Sequence, residues 1–189
     1  MLGPTMDGVA PTARAITPRI VALSAAVVLL ASLAGCTGAH VQSRPGTTTT
    51  VIVTRHADID PGSAVLNATG RERAQALAEA VGHMGVTAIY SPDLERNLAT
   101  VEPLARRTGV TITRTGAVSL FSVGTITDEI LDRHAGGVVV WVGNASGNLQ
   151  AVYSRLGGSG MGPVEYGDLH ILTIPDVGPV RVVKMHYGP

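Results

Sequence analysis

Lysine is almost missing from this chain: Lys184 is the only one, and arginine supplies the other 13 of 14 basic residues. Acidic residues also number 14, so the chain has no cationic excess with which to neutralise a phosphate backbone. Nucleic acid is therefore not an expected partner. Aromatics make up 3% of the residues, which leaves Val, Leu, Ile and Ala to build the core. Cysteine occurs once, at Cys36, so no disulfide can form within the chain. His40, His83 and His134 are scattered without the spacing of metal ligands, and no metal or other cofactor is expected. The glycine-rich stretch Gly157–Gly162 lacks the lysine and following helix of a phosphate-binding loop and reads as a turn. What remains is 45% apolar and 15% charged, a balance that suits a folded domain and argues against disorder. A length of 189 residues fits one domain with extra segments.

The first extra segment lies at the N-terminus. Ile20 to Gly35 is a continuous run of apolar and small residues preceded by Arg14 and Arg19, shorter than the roughly 20 apolar residues a membrane span needs. Positive flank, short apolar centre and small-residue end read as a secretory signal peptide over residues 1–35. The run closes with Leu33-Ala34-Gly35-Cys36, which resembles the lipobox of bacterial lipoproteins. That resemblance implies acylation of the Cys36 thiol, cleavage just before it, and anchoring to the outer face of the cell membrane. A plain cleaved signal or an uncleaved anchor are the alternatives. Loss of residues 1–35 would leave 12 basic against 13 acidic residues. Thr37 to Thr50, rich in Thr, Gly, Ser and Pro, reads as a flexible tether, so residues 36–49 are assigned to tether and 50–189 to the domain.

From Thr50 the pattern alternates. Val51–Val53 suits a buried parallel strand. A helix is expected from about Thr69 to Gly82, with Thr69 and Glu72 as a capping box and Ala74, Leu77, Ala78 and Val81 on its inner face. Val86–Tyr90 reads as the second strand. Ser91-Pro92 supplies an N-cap and first-turn proline for a helix to about Thr108, with Leu94, Leu98, Val101 and Ala105 inward. Val110–Thr113 reads as the third strand. Arg114–Thr127 is poorly patterned, and a short helix is expected over Asp128–His134. Val138–Val142 is the most apolar strand and is expected at the sheet centre. A helix to about Leu156 follows, then strands Leu169–Thr173 and Val180–Met185. No internal repeat is visible. The alternation implies an α/β fold, a sandwich of helices around a mostly parallel sheet.

In such folds ligands bind beyond the carboxyl ends of the parallel strands. The first strand runs into Thr54-Arg55-His56-Ala57-Asp58, which puts His56 on that rim. A neutral imidazole there can attack phosphorus, and the adjacent Arg55 guanidinium can hold phosphate oxygens in a planar fork. The plain alternative for His56 is a structural hydrogen-bonder at a strand end. Arg96 lies early in a helix, where side chains lean toward the positive N-terminal end, a favourable place for an anion. Its plain alternative is an ion pair with a helical carboxylate.

Residues Val51–Asp58 resemble the opening strand and Arg-His-Gly/Ala motif of the histidine phosphatase (phosphoglycerate mutase-like) superfamily. Leu66, Gly70, Ala74 and Leu77 resemble the start of its first helix. Ile89–Leu104 is similar to its Ser-x-x-x-Arg-x-x-x-Thr block, and Glu165–Leu169 with Tyr187-Gly188 resembles the ending of its small members. The resemblance spans nearly all of residues 50–189. It implies a three-layer α/β/α sandwich, a nucleophile at His56 that becomes phosphohistidine, and phosphate-clamping arginines at Arg55 and Arg96.

The family places a second histidine just after the strand corresponding to Val138–Val142. Here the sequence reads Gly143-Asn144-Ala145-Ser146-Gly147-Asn148, and Asn144 is the expected replacement, a neutral donor in place of a charged one. Losing one preorganised donor typically costs on the order of 10²–10³ in rate. Asp128 and Glu129 are the nearest candidates for the proton donor to the leaving group, although both also fit a solvated helix start. Asp58 and Asp60 read as loop carboxylates, with Asp58 also able to orient His56. His170 and His186 read as strand residues that can reach the site only from an unexpected direction. Three functions follow: weak phosphomonoester hydrolysis through phospho-His56; a module without turnover that binds a phosphate-bearing small molecule, a phosphoprotein or an envelope partner; or a purely structural lipoprotein with a vestigial pocket.

Overall fold

A computed structural model describes residues 41–116 and 120–189, together with Gly3. The signal peptide expected over residues 1–35 and the lipidation site expected at Cys36 lie outside the described residues. Six strands form one sheet: β1 (Thr48–Arg55), β2 (Val86–Ser91), β3 (Ile112–Arg114), β4 (Val138–Gly143), β5 (Asp168–Pro175) and β6 (Arg181–His186). Their order is β3-β2-β4-β1-β5-β6. The pairings among β1, β2, β3 and β4 are parallel, while β5 and β6 join antiparallel at one side. The sheet is therefore mixed, its parallel half carrying the crossovers and its antiparallel half built by a hairpin.

Helices cover both faces. Ile52, Ile89, Val140, Val142 and Leu169 point to one face and pack against Leu77, Ala78 and Val81 of α1 (Ala68–Val81) and Val101 and Leu104 of α2 (Glu95–Thr108). Val51, Val53, Val139, Trp141 and Leu172 point to the other, against Ile126, Ile130 and Leu131 of α3 (Leu120–Arg133) and Leu149, Val152 and Tyr153 of α4 (Asn148–Arg155). Successive strand residues alternate between the two cores, which is why β1 and β4 read as unbroken apolar runs. The result is the expected three-layer α/β/α sandwich, with β4 between β2 and β1 at its centre.

Several boundaries differ from the sequence reading for identifiable reasons. The α1 cap is Asn67, whose side chain accepts from the Gly70 N–H at 2.9 Å, in place of the Thr69–Glu72 box. Ser91 does not cap α2. It ends β2, its hydroxyl donates to the Pro92 carbonyl at 2.8 Å, and the helix begins only at Glu95. That later start turns Asn97, Thr100, Val101 and Leu104 inward and leaves Leu94 40% exposed. Two polar residues on the buried side hid this stripe. Helix α3 starts eight residues earlier than the short helix expected over Asp128–His134, because Val123 and Ile126 continue the Ile130 stripe through a Gly- and Thr-rich stretch of low helix propensity.

The tether assignment is also corrected over residues 41–49. Val41 packs on the core, Ser43 is buried with its hydroxyl bonded to those of Thr47 and Thr49, and its N–H donates to the Pro175 carbonyl at 3.0 Å. Thr48 and Thr49 already belong to β1.

Candidate active site

The parallel register sets Arg55 beside Gly143, and the His56 N–H donates to the Gly143 carbonyl at 3.0 Å. The chain leaving β1 and the chain leaving β4 therefore turn away from the sheet side by side, with His56 on one and Asn144 on the other. Helix α2 brings the third group. Arg96, in its first turn, donates from Nε and Nη2 to Asn144 Oδ1 at 3.2 and 3.0 Å. One turn later, the Thr100 hydroxyl accepts from the Ala57 N–H at 2.9 Å and donates to the Arg96 carbonyl at 2.7 Å. That double role accounts for a threonine on the buried side of α2.

His56 is 4% exposed, and its Nδ1 lies 2.8 Å from the Ala57 carbonyl oxygen. A carbonyl can only accept, so the hydrogen sits on Nδ1 and the lone pair is left on Nε2. Burial lowers the imidazole pKa to about 4, helped by repulsion from Arg55 and Arg96 and opposed by the Ala57 carbonyl and Asp58. His56 is thus neutral near pH 7, with its Nε2 lone pair available, the form a nucleophile needs.

A guanidinium has no acceptor, so its two bonds to one oxygen fix which end of the Asn144 amide faces Arg96. The Asn144 NH₂ must point the other way. Its backbone N–H donates to Asn148 Oδ1 at 2.9 Å, which ties the loop to the start of α4. The sequence reading treated Asn144 only as a weakened donor. Here it is also the acceptor that holds Arg96.

Arg55 takes a different course. Its Nη1 donates to the Val164 carbonyl at 2.9 Å and its guanidinium carbon lies 3.9 Å over the Tyr166 ring, while its buried Nε has no partner among the described residues. The Tyr166 ring meets His56 edge-on at 5.8 Å between centroids. Tyr166 is thus a wall of the site that sequence reasoning did not single out, although the Glu165–Leu169 match carried it.

The remaining candidates are placed elsewhere. Asp128 pairs with Arg155 at 3.3 Å, and Glu129 pairs with Arg133 and accepts from the Tyr90 hydroxyl, so both serve contacts of α3 rather than His56. His170 is buried against Tyr153, and burial lowers its pKa. His186 lies 3.7 Å from Asp168. His134 bonds Tyr90 at 3.0 Å and His83 bonds Arg107 at 2.7 Å. Asp60 accepts from Asn67 at 3.0 Å. Among the described residues, no group of three or more His, Cys, Asp and Glu side chains could hold a metal ion. Asp58 is held by Arg73, a buried residue of α1 that the sequence reading passed over.

Comparison with known proteins bears on this arrangement. No curated protein matches the chain. Among solved structures, YhfR of Bacillus stearothermophilus shares 18% identity with a TM-score of 0.57, covering 71% of this chain and 95% of that one. A mycobacterial glucosyl-3-phosphoglycerate phosphatase in complex with inorganic phosphate shares 18% at a TM-score of 0.54, covering 74% and 97%. The protein histidine phosphatase SixA complexed with tungstate shares 15% at 0.51, covering 72% and 96%. At these identities the likeness establishes the fold. The sequence model of the histidine phosphatase superfamily (branch 1) matches residues 40–136, half of the chain, including β1, His56 and all of α2. The chain belongs to the histidine phosphatase superfamily.

Proposed function

We propose that the chain hydrolyses phosphomonoesters slowly through a phosphohistidine at His56. The observation that carries this reading is the state of His56: a neutral ring with Nδ1–H engaged and the Nε2 lone pair free, beside two guanidiniums. In the first step Nε2 bonds to phosphorus as the ester P–O bond breaks, and the leaving oxygen takes up a proton from solvent water. Water then attacks phosphorus, the P–N bond breaks, and orthophosphate leaves with His56 restored. Arg96 stabilises the equatorial oxygens, helped by the NH₂ of Asn144. Arg55 contributes charge from its place over Tyr166. Family membership and the phosphate- and tungstate-bound neighbours support an oxyanion ligand.

One observation favours a second reading, a phosphate-binding module without turnover. Asn144 Oδ1 already occupies two Arg96 donors, so an incoming phosphate must displace or share that acceptor. A phosphatase assay of the chain, of His56→Ala and of Asn144→His separates the two. Activity abolished by His56→Ala supports hydrolysis. An inactive parent that gains turnover with Asn144→His, while still binding phosphate, supports the module.

The proposed setting is the outer face of the cell membrane, with Cys36 acylated after removal of residues 1–35. The Leu33-Ala34-Gly35-Cys36 match supports it. Incorporation of a fatty-acid label that Cys36→Ser abolishes is the expected result, and unchanged labelling in that variant refutes it.

A further inference from the structure

An ion pair beside the nucleophile, its arginine buried and its aspartate half-buried, has no part in the steps above. Arg73 on α1, 5% exposed, donates from Nε to Asp58 Oδ2 at 2.6 Å and from Nη2 to Asp58 Oδ1 at 3.3 Å. Its Nη1 donates to the Tyr187 carbonyl at 2.8 Å. One side chain thus joins the loop after β1, helix α1 and the C-terminal residues. Buried pairs of this kind add little net stability over apolar packing, so their presence calls for another explanation.

The explanation lies in one peptide plane. The carbonyl that fixes the His56 ring belongs to Ala57, and its peptide unit continues into the N–H of Asp58. A planar peptide cannot turn its carbonyl without turning the next residue's N–H. Asp58 is held on three sides: its side chain by Arg73, its carbonyl by the Asn67 N–H at 3.1 Å, and its backbone by close contact with Gly70, where a Cβ would collide with the Asp58 carbonyl. From the other end, Thr100 holds the Ala57 N–H. With both flanking groups fixed, the Ala57 carbonyl has one direction in which to point, toward Nδ1.

We propose that Arg73 and Asp58 are a positioning pair that selects the Nδ1–H tautomer of His56, and so keeps the lone pair on Nε2. This rests on the reading of His56 as nucleophile, but it concerns the resting protein and can be read without turnover. The hydrogen bonds of Arg73 go to Asp58 and the Tyr187 carbonyl and not to His56; it acts through the 57–58 peptide.

The test is the tautomeric state of His56 in the full chain, read from imidazole ¹⁵N shifts at neutral pH. The parent should show a protonated Nδ1 and a bare Nε2. Arg73→Met should give a mixture of tautomers, and Asp58→Asn, which keeps the volume but loses the charge, should give a smaller shift the same way. Arg73→Lys should recover most of the parent signature. A 1 Å misplacement can cost on the order of 10² in rate, so hydrolysis by Arg73→Met should fall by about that factor with less change in KM. Folded Arg73→Met and Asp58→Asn proteins with the parent tautomer overturn the proposal. So does failure of both to fold, which assigns the pair to stability instead. If the parent has no activity but shows the Nδ1–H tautomer, and the variants shift it, the positioning role stands and only hydrolysis is refuted.

Discussion

Replacing His56 with glutamine keeps a polar side chain of similar length but removes the titrating ring, and unfolding free energies from pH 3.5 to 8 then isolate its contribution. In the folded chain burial, reinforced by Arg55 and Arg96, holds the His56 pKa at about 4, against 6.5 for a free imidazole. At pH 8 the ring is neutral in both states and contributes nothing to the pH dependence. As pH falls through 6.5 the unfolded chain takes up a proton that the folded chain refuses, so stability falls by about 1.4 kcal/mol per pH unit. Below about 4 both states carry the proton and the loss levels off. Across that window the deficit approaches about 3 kcal/mol. Urea unfolding of the parent and of His56→Gln should therefore give free energies whose difference changes between pH 6.5 and 4 and is flat above 7. Parallel curves over the whole range would refute the assignment of a buried, electropositive setting to this ring.

Other substitutions probe the supports. Thr100→Val leaves the Ala57 N–H buried without an acceptor, and should cost about 1–3 kcal/mol in urea unfolding. Gly70→Ala drives a Cβ into the Asp58 carbonyl, so a loss of about 1–3 kcal/mol is expected, with the His56 resonances displaced; an unshifted spectrum contradicts the packing. Tyr166→Leu removes the ring beneath Arg55, where cation–π contact is worth about 0.5–2 kcal/mol; phosphate affinity should drop severalfold, and no change means Arg55 does not depend on that ring.

Much of the fold was legible because its signals are local. β1 and β4 are apolar on both faces, and the α1 stripe is uninterrupted, so strand, helix and central position follow from pattern alone. Several misses trace to polar side chains turned inward, of which Thr100 and Arg73 hold groups beside the site. Thr100 and Asn97 break the α2 stripe. Arg73 hides among the charged residues of an otherwise exposed-looking helix turn, since nothing in the sequence marks a guanidinium as buried. Within the site, Arg55-His56 was visible from its place at the end of a buried strand. The contact between Arg96 and Asn144 spans 48 positions and depends on the β1–β4 register, which no local pattern encodes. The direction of Arg55, toward Val164 and Tyr166, depends likewise on a loop after α4.

The most direct measurement is a titration of the chain with orthophosphate, followed by calorimetry and by the His56 ring and Asn144 side-chain amide resonances. One phosphate should bind per chain and move both sets of signals. Arg96→Ala should weaken binding by about 10–100-fold, the worth of hydrogen bonds to a charged group. Binding that ignores Arg96→Ala and leaves His56 and Asn144 unmoved would contradict the site itself.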